Sequence, residues 1–319
     1  MKYIYLALTC TLFSVQFIFT KLFSRRAGNA PHVGLWNGAV IALLMFCYLM
    51  PLNGFVLEFS PAAVLLALLL ALCAITMNLC NIPAMRLGNL AVVTTYMLVG
   101  GMVLPFVYGV AVLKEACPPL KVIAIAVLLL AILPNLFQGK AQASAGQKDG
   151  LGRKLLFHGL CLVLFTLNGM TSILTTVHSL HENKISAGGF TMLSALFQLG
   201  LALLVLFVYA VYLAIKGNRG ALRTVFYDVG ATTPTRPRTL CLLAGIAFAY
   251  AVCNGVANIF SQESLAAGMD SSVQFPVISG AVIVMSALFG QALFGERIDR
   301  YTAISLALSV VGSVLFILA

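Results

Sequence analysis

The chain has 319 residues and a mass of 34.0 kDa, with 61% hydrophobic residues, 9% charged residues and a mean hydropathy of +1.03. A soluble domain averages about 45–50% apolar and about 25% charged residues, so the composition excludes a soluble enzyme, a nucleic-acid-binding domain and a disordered scaffold. It predicts an all-α polytopic membrane protein. The formal charge of +10 reflects membrane topology, because the basic residues fall between long apolar runs.

Ten apolar runs are long enough to cross a bilayer, which takes about 20 residues per helix. In chain order they are 3–23, 33–52, 61–83, 88–113, 119–138, 154–177, 187–215, 239–262, 268–294 and 301–318. The first run is a spanning helix rather than a signal peptide, since it carries Gln16 and lacks a small-residue cleavage site before Lys21. The polar stretch 139–153 is a linker, which separates five helices in 1–138 from five in 154–319.

The two halves repeat each other. The matching features occur in the same order: Leu12–Gln16 with Leu164–Asn168, Asn78 and Gly88 with Asn258 and Gly268, and Glu115 with Glu296. Because each half has an odd number of helices, the second half must cross the membrane in the opposite direction. Inverted repeats of this kind recur in secondary transporters, which bind substrate between the repeats near the middle of the membrane.

The end of the ninth predicted helix carries the clearest motif, Leu293-Phe294-Gly295-Glu296-Arg297-Ile298, followed by Gly312. The first copy, Val112-Leu113-Lys114-Glu115, has Lys114 where a glycine is usual. With the two five-helix repeats, this motif resembles the EamA type of the drug/metabolite transporter superfamily over nearly the whole chain. The resemblance implies a ten-helix transporter of amino acids, nucleobases, sugars, nucleotide sugars or amphiphiles, and we expect a multi-pass protein of the bacterial plasma (inner) membrane.

The orientation has two readings. Four of the 19 Lys and Arg residues lie on the side of the N-terminus and 15 on the other side, which places both termini outside the cell by the positive-inside rule. Members of the family usually keep both termini in the cytoplasm.

Polar side chains within the predicted helices are the candidate site residues, because in lipid they must face protein or a water-filled cavity. Residues four apart on the eighth helix share one face. The predicted substrate-binding residues are Gln16, Asn78, Asn81, Tyr96, Asn168, Thr171, Tyr250, Asn254, Asn258 and Gln274, with helix breaks at Pro105 and Pro276. The alternative is that these amides only join helices through hydrogen bonds.

The ionisable residues suggest no coupling site. Glu115 and Glu296 end helices and are interpreted as structural pins paired with nearby basic residues, and no Asp or Glu lies near the middle of a helix. His178 and His181 stand beside Glu182 in a predicted loop, without the spacing of a zinc enzyme. The pocket is therefore expected to be neutral, which favours zwitterionic or uncharged substrates, although backbone dipoles at the broken helices could bind a carboxylate.

These features predict a secondary transporter that moves a small polar or amphipathic metabolite, amino acid-like or otherwise neutral or zwitterionic, by alternating access. We expect no enzyme activity, catalytic residue, metal site, cofactor or nucleic-acid partner. The expected partners are the solute and the lipid bilayer, and the protein would be a monomer or a homodimer. The alternatives are an intramembrane enzyme acting on a lipid or lipid-linked group, and a non-transporting receptor or assembly subunit.

Overall fold

The computed structural model describes residues 1–27, 31–87, 90–131, 133–136, 151–216, 225, 237–294 and 300–318. Gly88, most of the predicted linker and the segment that carries Glu296 lie outside the described residues.

Eleven helices make up almost all of the described chain. They are α1 (Lys2–Arg26), α2 (Pro31–Leu52), α3 (Pro61–Leu87), α4 (Leu90–Ala111), α5 (Pro119–Leu130), α6 (Leu133–Leu136), α7 (Leu151–Leu180), α8 (Ala187–Ile215), α9 (Pro237–Ala266), α10 (Ser271–Phe294) and α11 (Arg300–Leu318). Eight of them are long and apolar enough to cross a membrane. The chain is an all-α, multi-pass membrane protein.

Most helix ends lie within a few residues of those predicted, and two differences change the interpretation of the sequence. The fifth run, predicted as 119–138, forms the separate helices α5 and α6. The sixth run, predicted to end at 177, continues to Leu180, so His178 lies in a helix and the prediction of a loop was wrong. The cause is tertiary packing: the His178 ring stacks on Phe190 with the centroids 3.7 Å apart, which holds the last turn in place.

The outer surface is apolar, as contact with hydrocarbon requires. On α8, large apolar side chains on one face are exposed, among them Leu204, Phe207 and Val208. The opposite face of α8 buries Ala202 and Leu206 against α2 and α3. A soluble protein rarely exposes such a continuous apolar face.

Helix contacts connect the two halves of the chain throughout. The main pairs are α1 with α9 and α10, α7 with α3 and α4, α2 with α8, α4 with α10, and α5 with α11. Helices α1 and α9 are antiparallel: Lys2 Nζ donates to the Gly268 carbonyl at 3.3 Å, and the Tyr5 ring stacks on Phe260. The N-terminal end of α1 and the C-terminal end of α9 therefore lie on the same side of the membrane.

Small residues set the closest of these contacts, as is usual between membrane helices. A Cβ added to Gly100 on α4 would lie 2.6 Å from the carbonyl carbon of Phe165 on α7 and still closer to its oxygen. Backbone atoms cannot move aside as a side chain can. The α4–α7 contact therefore requires glycine at position 100.

We predict that Gly100→Ala lowers the free energy of unfolding by about 1–3 kcal/mol, because the added methyl group overpacks a backbone contact. Thermal unfolding of the detergent-purified protein measures the change. Gly159→Ala on α7 is the matched control, since a Cβ there has no neighbour within 4 Å and alanine is the better helix former. Equal melting temperatures for the Gly100→Ala and wild-type proteins would contradict the prediction.

Candidate functional site

A cavity of about 600 Å³ lies among α1, α2, α3, α4, α7, α8, α9 and α10. This volume suits a small metabolite, since ligand pockets commonly measure about 300–1,000 Å³. The walls combine aromatic and aliphatic side chains with amides and hydroxyls. Helices from both halves of the chain contribute to it.

Eight of the ten predicted substrate-binding residues line this cavity. They are Gln16, Asn78, Asn81, Asn168, Thr171, Tyr250, Asn254 and Asn258. The other two side chains, Tyr96 and Gln274, are absent from the described lining, and each makes a hydrogen-bond contact with a neighbouring helix. The Tyr96 hydroxyl lies 3.3 Å from His158 Nδ1, and the buried Gln274 amide donates to the carbonyl and Oγ of Ser261, both at 2.9 Å.

The two prolines predicted as helix breaks lie inside helices that continue past them, α4 and α10. Proline removes one helical N–H, but both helices continue through this loss. In α4, the carbonyl of Met97 accepts a hydrogen bond from Asn168 Nδ2 at 2.8 Å. Asn168 thus joins α7 to α4 while its side chain also faces the cavity.

A ladder of amides runs along α9. Asn258 Nδ2 donates to the carbonyl of Asn254 at 2.8 Å and to its Oδ1 at 3.3 Å. Gln262 Nε2 donates to Thr191 Oγ1 at 3.0 Å and to the Asn258 carbonyl at 3.4 Å. The four-residue spacing read from the sequence therefore gives one continuous polar face, which reaches α8 at its far end.

His178 closes this ladder. Thr191 donates its hydroxyl proton to the Ala187 carbonyl at 2.8 Å, so it can only accept from Gln262. The Oε1 of Gln262 then faces His178 Nδ1 at 3.2 Å, and Nδ1 must carry the hydrogen. Together with the stacked Phe190 ring, these side chains seal one end of the cavity.

Three other amides behave differently. The buried oxygens Gln16 Oε1, Asn37 Oδ1 and Asn81 Oδ1 find no hydrogen-bond partner within the described part of the chain. All three residues line the cavity, from α1, α2 and α3. A buried polar atom without a partner costs stability, so these amides are better placed to bind a ligand than to hold the fold.

Sequence reasoning missed several lining residues. Lys21 and Arg25 also line the cavity, although they entered the sequence analysis only through membrane topology, and the pocket was expected to be neutral. None of the lining residues that the structure describes is Asp, Glu or His. Asn37 and Gln198 could have been found by the criterion that found the others, because both are amides within apolar helices.

Within the part of the chain that the structure describes, Glu115 is hydrogen-bonded to Ser271 and Ser272 rather than to the basic residues that were predicted. Its Oε1 accepts from the Ser271 N–H at 3.2 Å and from Ser271 Oγ at 2.9 Å, and its Oε2 accepts from the Ser272 N–H at 3.0 Å. A carboxylate is favourable at the positive N-terminal end of a helix, here α10. Lys114 Nζ instead donates to the Ala111 carbonyl at 2.9 Å.

Comparison with known proteins identifies the fold only. No family model matches the chain, and no curated protein matches it. Twenty-seven chains of solved structures match it. One of them, a crystal structure, superposes with a TM-score of 0.63 at 13% sequence identity. The match covers 99% of this chain and 97% of the chain in that crystal structure.

We predict that two amide substitutions differ in their effect on the stability of the ligand-free protein: one lowers it and the other does not. Gln262→Leu leaves the buried Nδ1–H of His178 without an acceptor, which costs about 1–3 kcal/mol, and it also removes the hydrogen bond that Thr191 Oγ1 accepts. Asn81→Leu removes an oxygen that already lacks a partner, so its melting temperature stays equal to the wild type or rises. Thermal unfolding in detergent compares the two, and a large loss of stability in Asn81→Leu would show that Asn81 supports the fold.

Proposed function

We propose that this protein is a secondary transporter that moves a small polar or amphipathic metabolite by alternating access. The observation that carries the proposal is the cavity itself: about 600 Å³, lined by amides and hydroxyls, and enclosed by membrane helices of both halves of the chain. Polar surface within a membrane is expensive unless it serves a pathway. The sequence resemblance to EamA-type drug/metabolite transporters points to the same activity.

The packing of the helices supports ten membrane crossings arranged as two inverted five-helix repeats. Under the match seen in the sequence, α1 corresponds to α7, α3 to α9, and α4 to α10. The contact of α1 with α9 then corresponds to that of α7 with α3, and the contact of α1 with α10 to that of α7 with α4. Equivalent helices also meet each other, as α2 with α8 and α5 with α11. Such reciprocal contacts are expected from a two-fold relation between halves.

The two ends of the cavity differ, as alternating access requires. At one end the lining residues Ser261 and Gln262 are only 3% and 4% exposed. At the other end Arg25, which also lines the cavity, is exposed. We infer that this conformation is open at the Arg25 end, which the distribution of Lys and Arg assigns to the cytoplasm.

Two carboxylates hold the closed end, and each joins the first half of the chain to the second. Glu115 caps the start of α10. Glu58 accepts from the Ser186 N–H at 2.7 Å and from Ser186 Oγ at 2.9 Å, at the start of α8. In this mechanism both contacts must break before the cavity opens on the side of the N-terminus.

The proposal is tested by screening amino acids, nucleobases, sugars and cationic drugs by thermal shift, followed by counterflow in proteoliposomes. A solute at a hundred times its Kd should stabilise the protein by about 2.7 kcal/mol. We expect the hit to be exchanged across the membrane and its stabilisation to be lost in Asn254→Ala. A screen without any bound or exchanged solute would favour the lipid enzyme or the receptor.

We predict that Glu115→Ala makes the closed end of the cavity open more often, because only the Glu58 contact then holds it. The reporter is Thr175→Cys in a background without the eight native cysteines, because Thr175 lines the cavity and is buried. A membrane-impermeant maleimide, added from the side of the N-terminus, should label this cysteine faster in the Glu115→Ala protein. The control is Lys114→Gln, which changes the neighbouring exposed residue. Equal labelling rates in both variants would show that Glu115 does not hold this end closed.

A further inference from the structure

We propose that the cavity selects a small organic anion, held by Lys21 through a carboxylate or phosphate group. This inference rests on the proposed transport function and assigns the charge of its solute. It replaces the neutral pocket expected from the sequence. The evidence is the charge of the lining, the burial of Lys21 and the amides that lack partners.

The fixed charges of the described lining are all positive. Lys21 and Arg25 contribute the cationic groups, and the lining residues that the structure describes include no carboxylate. An anion entering from the Arg25 end is therefore attracted along the wall formed by α1, whereas a cation is repelled.

The position of Lys21 differs from that of a lysine whose only role is to set the membrane topology. Lysines at the ends of membrane helices usually extend their ammonium group to water or headgroups. Arg25 and Arg26 on the last turn of α1 are exposed in this way. Lys21 is only 8% exposed and lines the cavity. A buried cation is costly unless an anion or several hydrogen bonds compensate it.

An ammonium group can serve the protein and a ligand together. It has three N–H donors, so it can donate to an oxyanion as well as to groups of the protein. The side-chain oxygens of Gln16, Asn37 and Asn81 have no partner among the described residues and can accept hydrogen bonds. They suit hydroxyl or amide donors on the same solute.

Apolar side chains complete the lining and indicate the rest of the solute. Phe13 and Phe17 of α1, Met45 of α2 and Phe275 of α10 all face the cavity. The ligand that matches these walls has an oxyanion group, a few hydrogen-bond donors and an apolar body.

The test uses solutes that share a carbon skeleton and differ in charge. For leucine the members are 2-hydroxyisocaproate (anion), leucine (zwitterion), 2-hydroxyisocaproamide (neutral) and leucinamide (cation), and phenylalanine gives a second set. Glycerol phosphate and glycerol form the phosphate pair. Binding to the detergent-purified protein and exchange in proteoliposomes are measured. We expect the anion to bind about 10-fold or more tightly than the neutral amide and the cation, since bonds to charged groups are the stronger ones.

Variants at the end of α1 test the role of Lys21 itself. Lys21→Met should weaken binding of the anion by about 10-fold or more, and Lys21→Arg should keep it within about 3-fold, because only the first removes the charge. Arg26→Gln is the control, since it removes one exposed charge from the same end of α1 without changing a described lining residue. All variants are first compared with the wild type by thermal unfolding.

The outcomes separate this inference from the transport function. Neutral or cationic members that bind and exchange as well as the anion would overturn the inference and leave the transporter standing. Unchanged anion affinity in Lys21→Met would overturn the role of Lys21. If no member of any set binds, the inference fails, and the broader solute screen then decides whether transport fails with it.

Discussion

The exclusion of water from the bilayer core is the constraint on which this structure depends. Every backbone N–H and C=O in that layer must be hydrogen-bonded within the protein, and long helices satisfy this requirement within a single segment. The same constraint sorts the side chains, since apolar groups such as Phe207 can face lipid and polar groups must turn inward. A membrane protein with many inward polar groups must either pair them or enclose a space for them. This chain does both.

The polar side chains accordingly fall into two groups with different roles. Those of α9, with His178 and Thr191, are hydrogen-bonded to one another and hold three helices together. The side-chain oxygens of Gln16, Asn37 and Asn81 have no hydrogen-bond partner in the described chain. The first group stabilises the ligand-free protein. The second lowers its stability but leaves oxygen atoms that can accept hydrogen bonds from a ligand. The hydrogen-bonded group lies at the closed end of the cavity, and the amides with unpartnered oxygens line it from α1, α2 and α3.

Local patterns in the sequence predicted much of the fold and of the candidate site. The apolar runs predicted the helices from their length, and four-residue spacing predicted the common face of Asn254 and Asn258. Tyr96 and Gln274 were placed in the site because a sequence does not show whether a polar group turns to a cavity or to a neighbouring helix. The partners of Glu115 lie more than 150 positions away along the chain, and nothing local identifies them. The charge of the lining was missed because Lys21 has the position of an ordinary topology signal.

The Glu115 contact also bears on how fast the protein could change conformation. One carboxylate accepts three hydrogen bonds from two consecutive residues, so a small displacement of the helix lengthens all of them at once. Packed interfaces of this kind have two discrete arrangements rather than a continuous range. Half-separated states are therefore high in energy, and the passage between the two arrangements is an activated step. In the proposed transport cycle, the rate of that step sets an upper limit on turnover that does not depend on the affinity for the solute.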